Sequence, residues 1–405
     1  MCLPPTIPRK MLGNVSLQIA REATEGARQL ERFAEHPYLE AFVEGFRVNI
    51  VPCYSAPRGE WLSATDRTPF HTDYVNERLN QSLRDEVRLL KRFLQGIRVY
   101  GAEIKVGGFS GYLCELLVIH YGSFTKVLEA FAKYVPRMII DIENYYAGRE
   151  KELKLLFDEP LVVVDPVDKG RNVASAVKPD KIYMLVGAAR AFLKSPKTEF
   201  FFPPPTKPLP TDELKQTLET RGSDIIFLTF DAVKAVPDVV WGQLYRTQRA
   251  LCKMLGLHDF KVLRSAVWSD EEKLCGFVFE LDRRVLSGVR VHMGPPLERE
   301  KECERFLKKY AENGSVVAGP YVEGGRWVVE VKRKQVDAVQ LLHENLGDGG
   351  VNVGVASLIS LALKSGFNVS VNAEITQVYA NNVKFAAFLT ELLVGKPFWL
   401  TPRGA

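Results

Sequence analysis

A chain of 405 residues exceeds what one hydrophobic core ordinarily organises, so roughly two to four domains are expected. Its 46% apolar content is that of a globular protein, and the excess of Lys plus Arg over Asp plus Glu, 54 against 49, permits an anionic partner without requiring one. Six scattered cysteines include no CxxC pair and no Cys/His spacing of a zinc site, and no segment approaches the roughly 20 apolar residues of a membrane span.

The opening MCLPPTIPRKMLGN carries prolines where a secretory leader needs an apolar run, so a soluble, cytoplasmic protein with buried free thiols is expected. Residues 15–34 have apolar positions at helical spacing. YLEAFVEG and FRVNIVPCY then read as a hairpin turning at Glu44-Gly45. In its second strand Phe46, Val48 and Ile50 form an apolar face to seat on a core, while Arg47 and Asn49 share the other face. Two strands bury too little to stand alone, so a further element should lie beside them.

Ser82-x-x-Asp85 reads as a capping box, followed by an apolar stripe at Val87, Leu89, Leu90, Phe93 and Leu94. Ser110 is a second candidate cap, and residues 125–147 and 179–194 read as further helices, giving an all-helical stretch over 82–200. FFPPPTKPLP, residues 201–210, has the composition of a semi-rigid linker. Beyond it DIIFLTF, a helix near 238–256, KVLRSAVW, LCGFVFEL and VRVHM follow the β-α-β-β order of an α+β layer structure. A helix over 299–312, a strand pair around Gly324-Gly325 and C-terminal helices complete the chain.

Three segments carry candidate chemistry. TDRTPFH, residues 65–71, gathers Asp66, Arg67, Thr68 and His71; His71 can donate to a phosphate and Thr68 can read a base edge, or the group can be a loop-stabilising network. KRFLQGIRVYGAE, residues 91–103, sets Lys91 and Tyr100 near a helix end, where a point charge and a hydroxyl suit a triphosphate; a snorkelling lysine and a packed tyrosine are the alternative. VVVDPVDKGRNVA, residues 162–174, offers Arg171 as a planar donor for a base and a phosphate, or as the structural partner of Asp165.

Asp141-Ile142-Glu143 imitates a two-metal carboxylate pair, but the Gly122-Ser123 turn stands too far upstream with a helix between, so helix surface is expected there. Later in the chain, basic and aromatic residues recur together: Trp241, Tyr245, Arg246 and Arg249; Arg283 and Arg284; Arg290 and His292; Arg326 with Trp327; then Lys332, Arg333 and Lys334. Positive charge beside stacking groups suits an RNA backbone.

From about residue 17 onward the chain resembles the archaeal (class I) CCA-adding enzyme family, tRNA nucleotidyltransferases that build the 3′-terminal CCA without a nucleic-acid template. The resemblance rests on AEHPY (34–38), VPCY (51–54), DRTPFH (66–71), EVRLLKRFL (86–94), YGAE (100–103), GFSGYLCELL (108–117), YGSF (121–124), VDPVD-x-x-RNVA (164–174) and HMGPP (292–296), and weakens after about residue 335. It implies an α+β multidomain fold: a polymerase-beta-like nucleotidyltransferase head, truncated here, over 1–81, an all-helical neck over 82–200, the linker 201–210, an α+β body over 211–335 and a tail over 336–405.

The same resemblance puts His71, Lys91 and Tyr100 on triphosphate-binding positions and Thr68 and Arg171 near the base of ATP or CTP. It implies a tRNA-binding surface for which Arg283, Arg284, Arg290, His292, Arg326, Lys332 and Arg333 are the candidates, magnesium as cofactor, and a homodimer. The family's head carries Gly-Ser-x-x-Arg-x-Thr and an acidic pair, and neither pattern occurs before residue 34. Its next metal carboxylate falls on Asn49, and a neutral amide is a weak ligand for a hard cation. The expectation is a CCA-adding nucleotidyltransferase whose catalytic head is supplied elsewhere, for instance by a separately encoded polypeptide, with this chain alone inactive; the alternative is an inactive paralogue that binds tRNA with ATP or CTP.

Overall fold

The computed structural model describes residues 1–33 and 36–400, so Ala34 and Glu35 of the AEHPY string lie outside the described residues. The chain forms two compact units: Met1–Pro205 with Val236–Asp238 and the last described residues from 396, and Thr206–Ala235 with Val239–Gly395.

The first unit opens with β1 (Cys2–Leu3) and α1 (Arg9–Ala23). Residues 15–34 are therefore not one helix. Thr24 bonds the Ala20 carbonyl through its hydroxyl at 2.7 Å, Gln29 Nε2 donates to the Arg21 and Thr24 carbonyls, and Gly26 takes the left-handed φ of 82°. After that stop the chain runs as β2 (Arg28–Phe33), then β3 (Pro37–Val43) and β4 (Phe46–Ile50). Leu30 and Phe33, three apart, had imitated a helix stripe.

The expected hairpin is thus a three-stranded antiparallel sheet, β2-β3-β4. Helix α1 packs on it through Leu17 and Ala20 against Leu39, with Ile50 alongside. Gly13 allows the close approach, since a Cβ there would lie 2.4 Å from Pro37 Cγ. Only Ile50 of the apolar row on β4 reaches this core: Phe46 is 73% and Val48 40% exposed, against the expectation of a seated face. β5 (Cys53–Tyr54) pairs in parallel with β1.

Helices α2 (Thr68–Arg78), α3 (Gln81–Gly96), α4 (Gly111–Tyr121) and α5 (Phe124–Ala132) follow. The cap of α3 is Asn80, whose side chain accepts from Leu83 N at 2.9 Å, rather than Ser82. Ser110 does cap α4, accepting from Leu113 N. Buried Leu90, Phe93, Phe109, Leu113 and Phe131 form one core with α7 (Pro179–Lys194).

The stretch 82–200 is not all-helical. β6 (Met138–Ile140) pairs in parallel with β7 (Leu161–Val163), with α6 (Glu150–Leu156) between them. Asp141 and Glu143 accordingly lie on the turn after a strand, not on a helix surface. Asp141 accepts from Tyr146 N at 2.8 Å and Glu143 from the Tyr74 hydroxyl at 2.6 Å.

In the second unit α8 (Thr211–Thr220), β8 (Asp224–Asp231), α9 (Pro237–Leu257), β9 (Val262–Ser269) and β10 (Leu274–Leu281) precede β11 (Val289–Pro296), α10 (Glu300–Tyr310), β12 (Val316–Glu323) and β13 (Arg326–Lys332). Helices α11 (Ala338–Leu346) and α12 (Ser357–Ser365), strand β14 (Phe367–Val371), and α13 (Ile375–Asn381) and α14 (Val383–Val394) follow. One antiparallel sheet has the order β14-β8-β10-β9. Alternation along β8 places Ile226, Leu228 and Phe230 in the core shared with α9, α11 and α12. Ile225 and Phe227 join the opposite core with α8, α13 and α14. A second sheet, β11-β13-β12, seats Val329 and Val331 on Phe306 of α10. No helix among the described residues is long and apolar enough to cross a membrane.

Candidate functional site

In the first unit the sequence-predicted nucleotide residues fall into two groups joined by one helix. α2 carries Thr68, exposed, and His71 three residues later on the same face. His71 Nε2 lies 2.9 Å from Asp165 Oδ2, and Arg171 Nη1 donates to that same oxygen at 2.7 Å. The imidazole stacks on Tyr112 of α4 at 4.1 Å, and the Tyr112 hydroxyl donates to Asp165 Oδ1 at 3.2 Å.

Asp165 is wholly buried at the end of the β7 segment. Burial opposes its charge, but the His71 hydrogen bond, the Val167 N–H and the Arg171 guanidinium outweigh it and hold the carboxyl below its ordinary range. Burial pushes the Tyr112 hydroxyl upward, reinforced by Asp165, so this phenol stays a donor.

The second group lies at the start of α4. Lys91 Nζ contacts Glu115 at 2.7 Å, both side chains about three-quarters covered. A Cβ on Gly111 would sit 3.3 Å from the Tyr100 hydroxyl and 3.4 Å from Lys91 Nζ, so these two groups converge on the first turn of α4. Burial raises the Tyr100 pKa, and Lys91 offsets part of that rise. A cleft of about 480 Å³ beside Lys91 is lined by Asn76, Arg84, Arg88 and Glu115.

Asp66 has a different role from its neighbours in the DRTPFH string. It is buried and accepts from Tyr54 N, Leu62 N, Ser63 N and the Ser63 hydroxyl. Burial disfavours its charge, but these donors prevail and lower its pKa. Arg67 pairs with Asp168 at 2.7 Å. These two residues brace the loop.

Asn49 is exposed on β4, directly opposite Glu40 of β3. The buried Glu40 carboxylate is engaged by Arg32 at 3.0 Å and Arg47 at 3.9 Å. Among the described residues no three His, Cys, Asp or Glu side chains gather to hold a metal ion. An amide facing a carboxylate already held by two guanidinium groups does not fit magnesium, which needs free hard oxygen ligands.

In the second unit a cleft of about 480 Å³ is lined by Arg290, Lys332 and Arg333 together with Lys309, Lys334 and Tyr310. Asp259 pairs with both Arg290 and Arg333. His292 stacks on Phe306 and leans on Tyr310; burial, Arg290 and Lys309 lower its pKa, which favours a neutral stacking ring. The remaining candidates lie apart from this lining: Arg283 is exposed after β10, Arg284 contacts Asp337 at 3.6 Å, and Arg326 donates to the Gly294 carbonyl. Trp241 is a core residue donating to Glu271, not an exposed stacking platform.

Sequence reasoning missed Tyr112, Glu115, Lys309 and Tyr310. Tyr112 and Glu115 sit within the string GFSGYLCELL and could have been found from their i, i+3 spacing on one helix face.

Residues 85–202 match the family described as tRNA nucleotidyltransferase, second domain, and residues 221–372 match the CCA-adding enzyme, C-terminal domain. A CCA-adding enzyme of Methanosarcina mazei is 39% identical over 93% of this chain and 80% of its own length. That of Haloarcula marismortui is 36% identical over 93% and 81%, and that of Methanothermobacter thermautotrophicus 36% over 90% and 78%. The region that carries Lys91, Tyr100, Asp165 and Arg171 is thus of the tRNA nucleotidyltransferase class. The chain belongs to the CCA-adding enzyme family.

Proposed function

We propose that this chain serves tRNA CCA addition by binding CTP or ATP at the His71–Asp165–Arg171 and Lys91–Tyr100 groups and holding tRNA along the basic cleft of its second unit. The gathering of Lys91 and Tyr100 at Gly111, and of His71 against the neighbouring Tyr112, whose hydroxyl shares the Asp165 carboxylate with Arg171, carries the reading. Lys91 and Tyr100 supply a point charge and a hydroxyl for a triphosphate, and Arg171 retains donors beyond the one given to Asp165. Thr68, on the His71 face of α2, borders the base.

Nucleotide transfer in this class needs carboxylate-held metal, and the environment of Asn49 supports a chain that binds without transferring by itself. The catalytic carboxylates would then come from additional polypeptide, covalently continuous or separate, and the chain's own residues contribute recognition. A homodimer and a cytoplasmic setting accord with this role. An inactive paralogue that binds tRNA with ATP or CTP and never takes part in transfer is the second reading, favoured by Asn49; supplying a relative's head segment in trans separates the two, because only the first reading predicts restored addition.

The nucleotide assignment is tested by titrating ATP and CTP onto the intact chain and onto the His71→Ala, Lys91→Ala double variant. Affinity should fall about a hundredfold, since each lost charge-assisted contact is worth roughly tenfold. Unaltered affinity would overturn the assignment.

A further inference from the structure

We infer that Asp165 is a positioning residue that fixes the triphosphate contact and the base contact relative to each other through one buried carboxylate. The inference rests on the nucleotide-site reading above and adds to it a residue that itself touches no nucleotide. All of its acceptor capacity is spent inward. Oδ2 meets His71 Nε2 at 2.9 Å and Arg171 Nη1 at 2.7 Å, and Oδ1 receives the Tyr112 hydroxyl at 3.2 Å and Val167 N at 2.9 Å.

The chemistry constrains both ligand contacts. An ionised carboxylate only accepts, so His71 Nε2 must carry a proton toward it, and Nδ1 is the ring nitrogen left for a phosphate, to which it donates as the second N–H of an imidazolium. Arg171 gives one nitrogen of its fork to the same oxygen, which fixes the plane in which its other donors lie. The Tyr112 ring, stacked on His71, keeps the imidazole from turning. Because Asp165 is 0% exposed while Arg171 is partly open, water does not compete at the carboxylate end and the open end remains available. Two residues 100 positions apart in sequence, His71 and Arg171, therefore act as one preorganised unit.

The experiment compares ATP, CTP and inorganic tripolyphosphate binding on the intact chain for Asp165→Asn, Asp165→Glu, His71→Ala and Arg171→Ala, with thermal unfolding of each without ligand. Asp165→Asn is expected to weaken ATP and CTP by about tenfold or more and tripolyphosphate by less, because the base contact is lost as well. The pattern of protonated nitrogens on its His71 ring should also change in long-range proton–nitrogen spectra, a signature that loss of packing alone does not give. In the Asp165→Asn background the His71→Ala and Arg171→Ala effects should become additive.

If His71→Ala and Arg171→Ala weaken nucleotides while Asp165→Asn does not, the positioning role is overturned and the nucleotide site stands. If neither His71→Ala nor Arg171→Ala has an effect, the nucleotide site itself falls and the inference with it. Should Asp165→Asn fail to fold, Asp165→Glu decides: retention of charge with a displaced carboxylate should lower ATP affinity more than tripolyphosphate affinity, and equal losses contradict the inference.

Discussion

Asn49 on β4 stands directly opposite Glu40 on β3, and the Glu40 carboxylate is held by Arg32 at 3.0 Å. A carboxylate introduced beside it would meet a paired acid flanked by guanidinium groups rather than a vacant set of hard ligands. Asn49→Asp is therefore expected to leave CTP incorporation at background with magnesium present, measured with a tRNA lacking CCA. Incorporation by that single variant would show that one carboxylate suffices.

Lys91 is engaged by Glu115 at 2.7 Å in a partly covered site, so an incoming triphosphate must compete with a fixed carboxylate. Removing that competitor without changing shape should help the ligand. Glu115→Gln is expected to raise ATP affinity roughly two- to fivefold, the worth of a partly screened ion pair. Titration calorimetry checks this, and a fall in affinity would mean that Glu115 positions Lys91 rather than opposing the phosphate.

In the second unit Glu280 on β10 accepts from Arg221 at 2.5 Å and Arg264 at 2.7 Å, and both arginines also donate to carbonyls ending α14. Burial raises its pKa, but these arginines and Ser223 dominate and lower it from 4.5 to about 2. A depressed carboxylate stabilises the fold above its unfolded pKa, and that stability is lost as pH falls from about 4.5 toward 2. Glu280→Gln should cost about 2 kcal/mol near pH 7, since two partly exposed guanidinium groups lose a buried charged partner and solvent screens part of the loss. Denaturant unfolding at pH 7 and pH 3 should show the difference between variant and parent shrinking at the lower pH.

The basic cleft predicts a salt signature. Lys332 and Lys334 line it alongside Arg333, which pairs with Asp259. Lys332→Ala and Lys334→Ala should each reduce the slope of log affinity for tRNA against log salt by about 1, whereas Arg283→Ala, outside the lining, should change it less. Filter binding across a salt series measures the slopes.

Local signals in the sequence were read well where the physics is local. Ser110 caps α4, the Gly324-Gly325 turn joins β12 to β13, and Val87, Leu90, Phe93 and Leu94 of the expected stripe are buried on α3, while its fifth member, Leu89, is exposed. The failures were of competing local signals or of distance. Leu30 and Phe33 imitate a helix until Gly26 and Gln29 end α1, and Asn80 takes the capping role two residues before Ser82. The parallel pairing of β6 with β7 joins Met138 to Leu161, a nonlocal contact that no short window contains.

The candidate site divides in the same way. His71, Lys91, Tyr100, Thr68 and Arg171 were legible as residue types in recognisable strings. That Asp165 takes both His71 and Arg171 on one oxygen was not, because the three come from α2 and from either side of a tight turn after β7. The Asp165–Arg171 pair expected as an alternative to ligand binding is present, and it leaves Arg171 partly exposed.

The proposed role is recognition of nucleotide and tRNA without transfer by this chain alone. Incubation of the purified chain with magnesium, radiolabelled CTP and a tRNA lacking CCA tests it most directly, with ATP and CTP binding measured on the same preparation. Saturable nucleotide and tRNA binding with no label transferred to the tRNA is the predicted result, and label incorporated by this chain alone would contradict it.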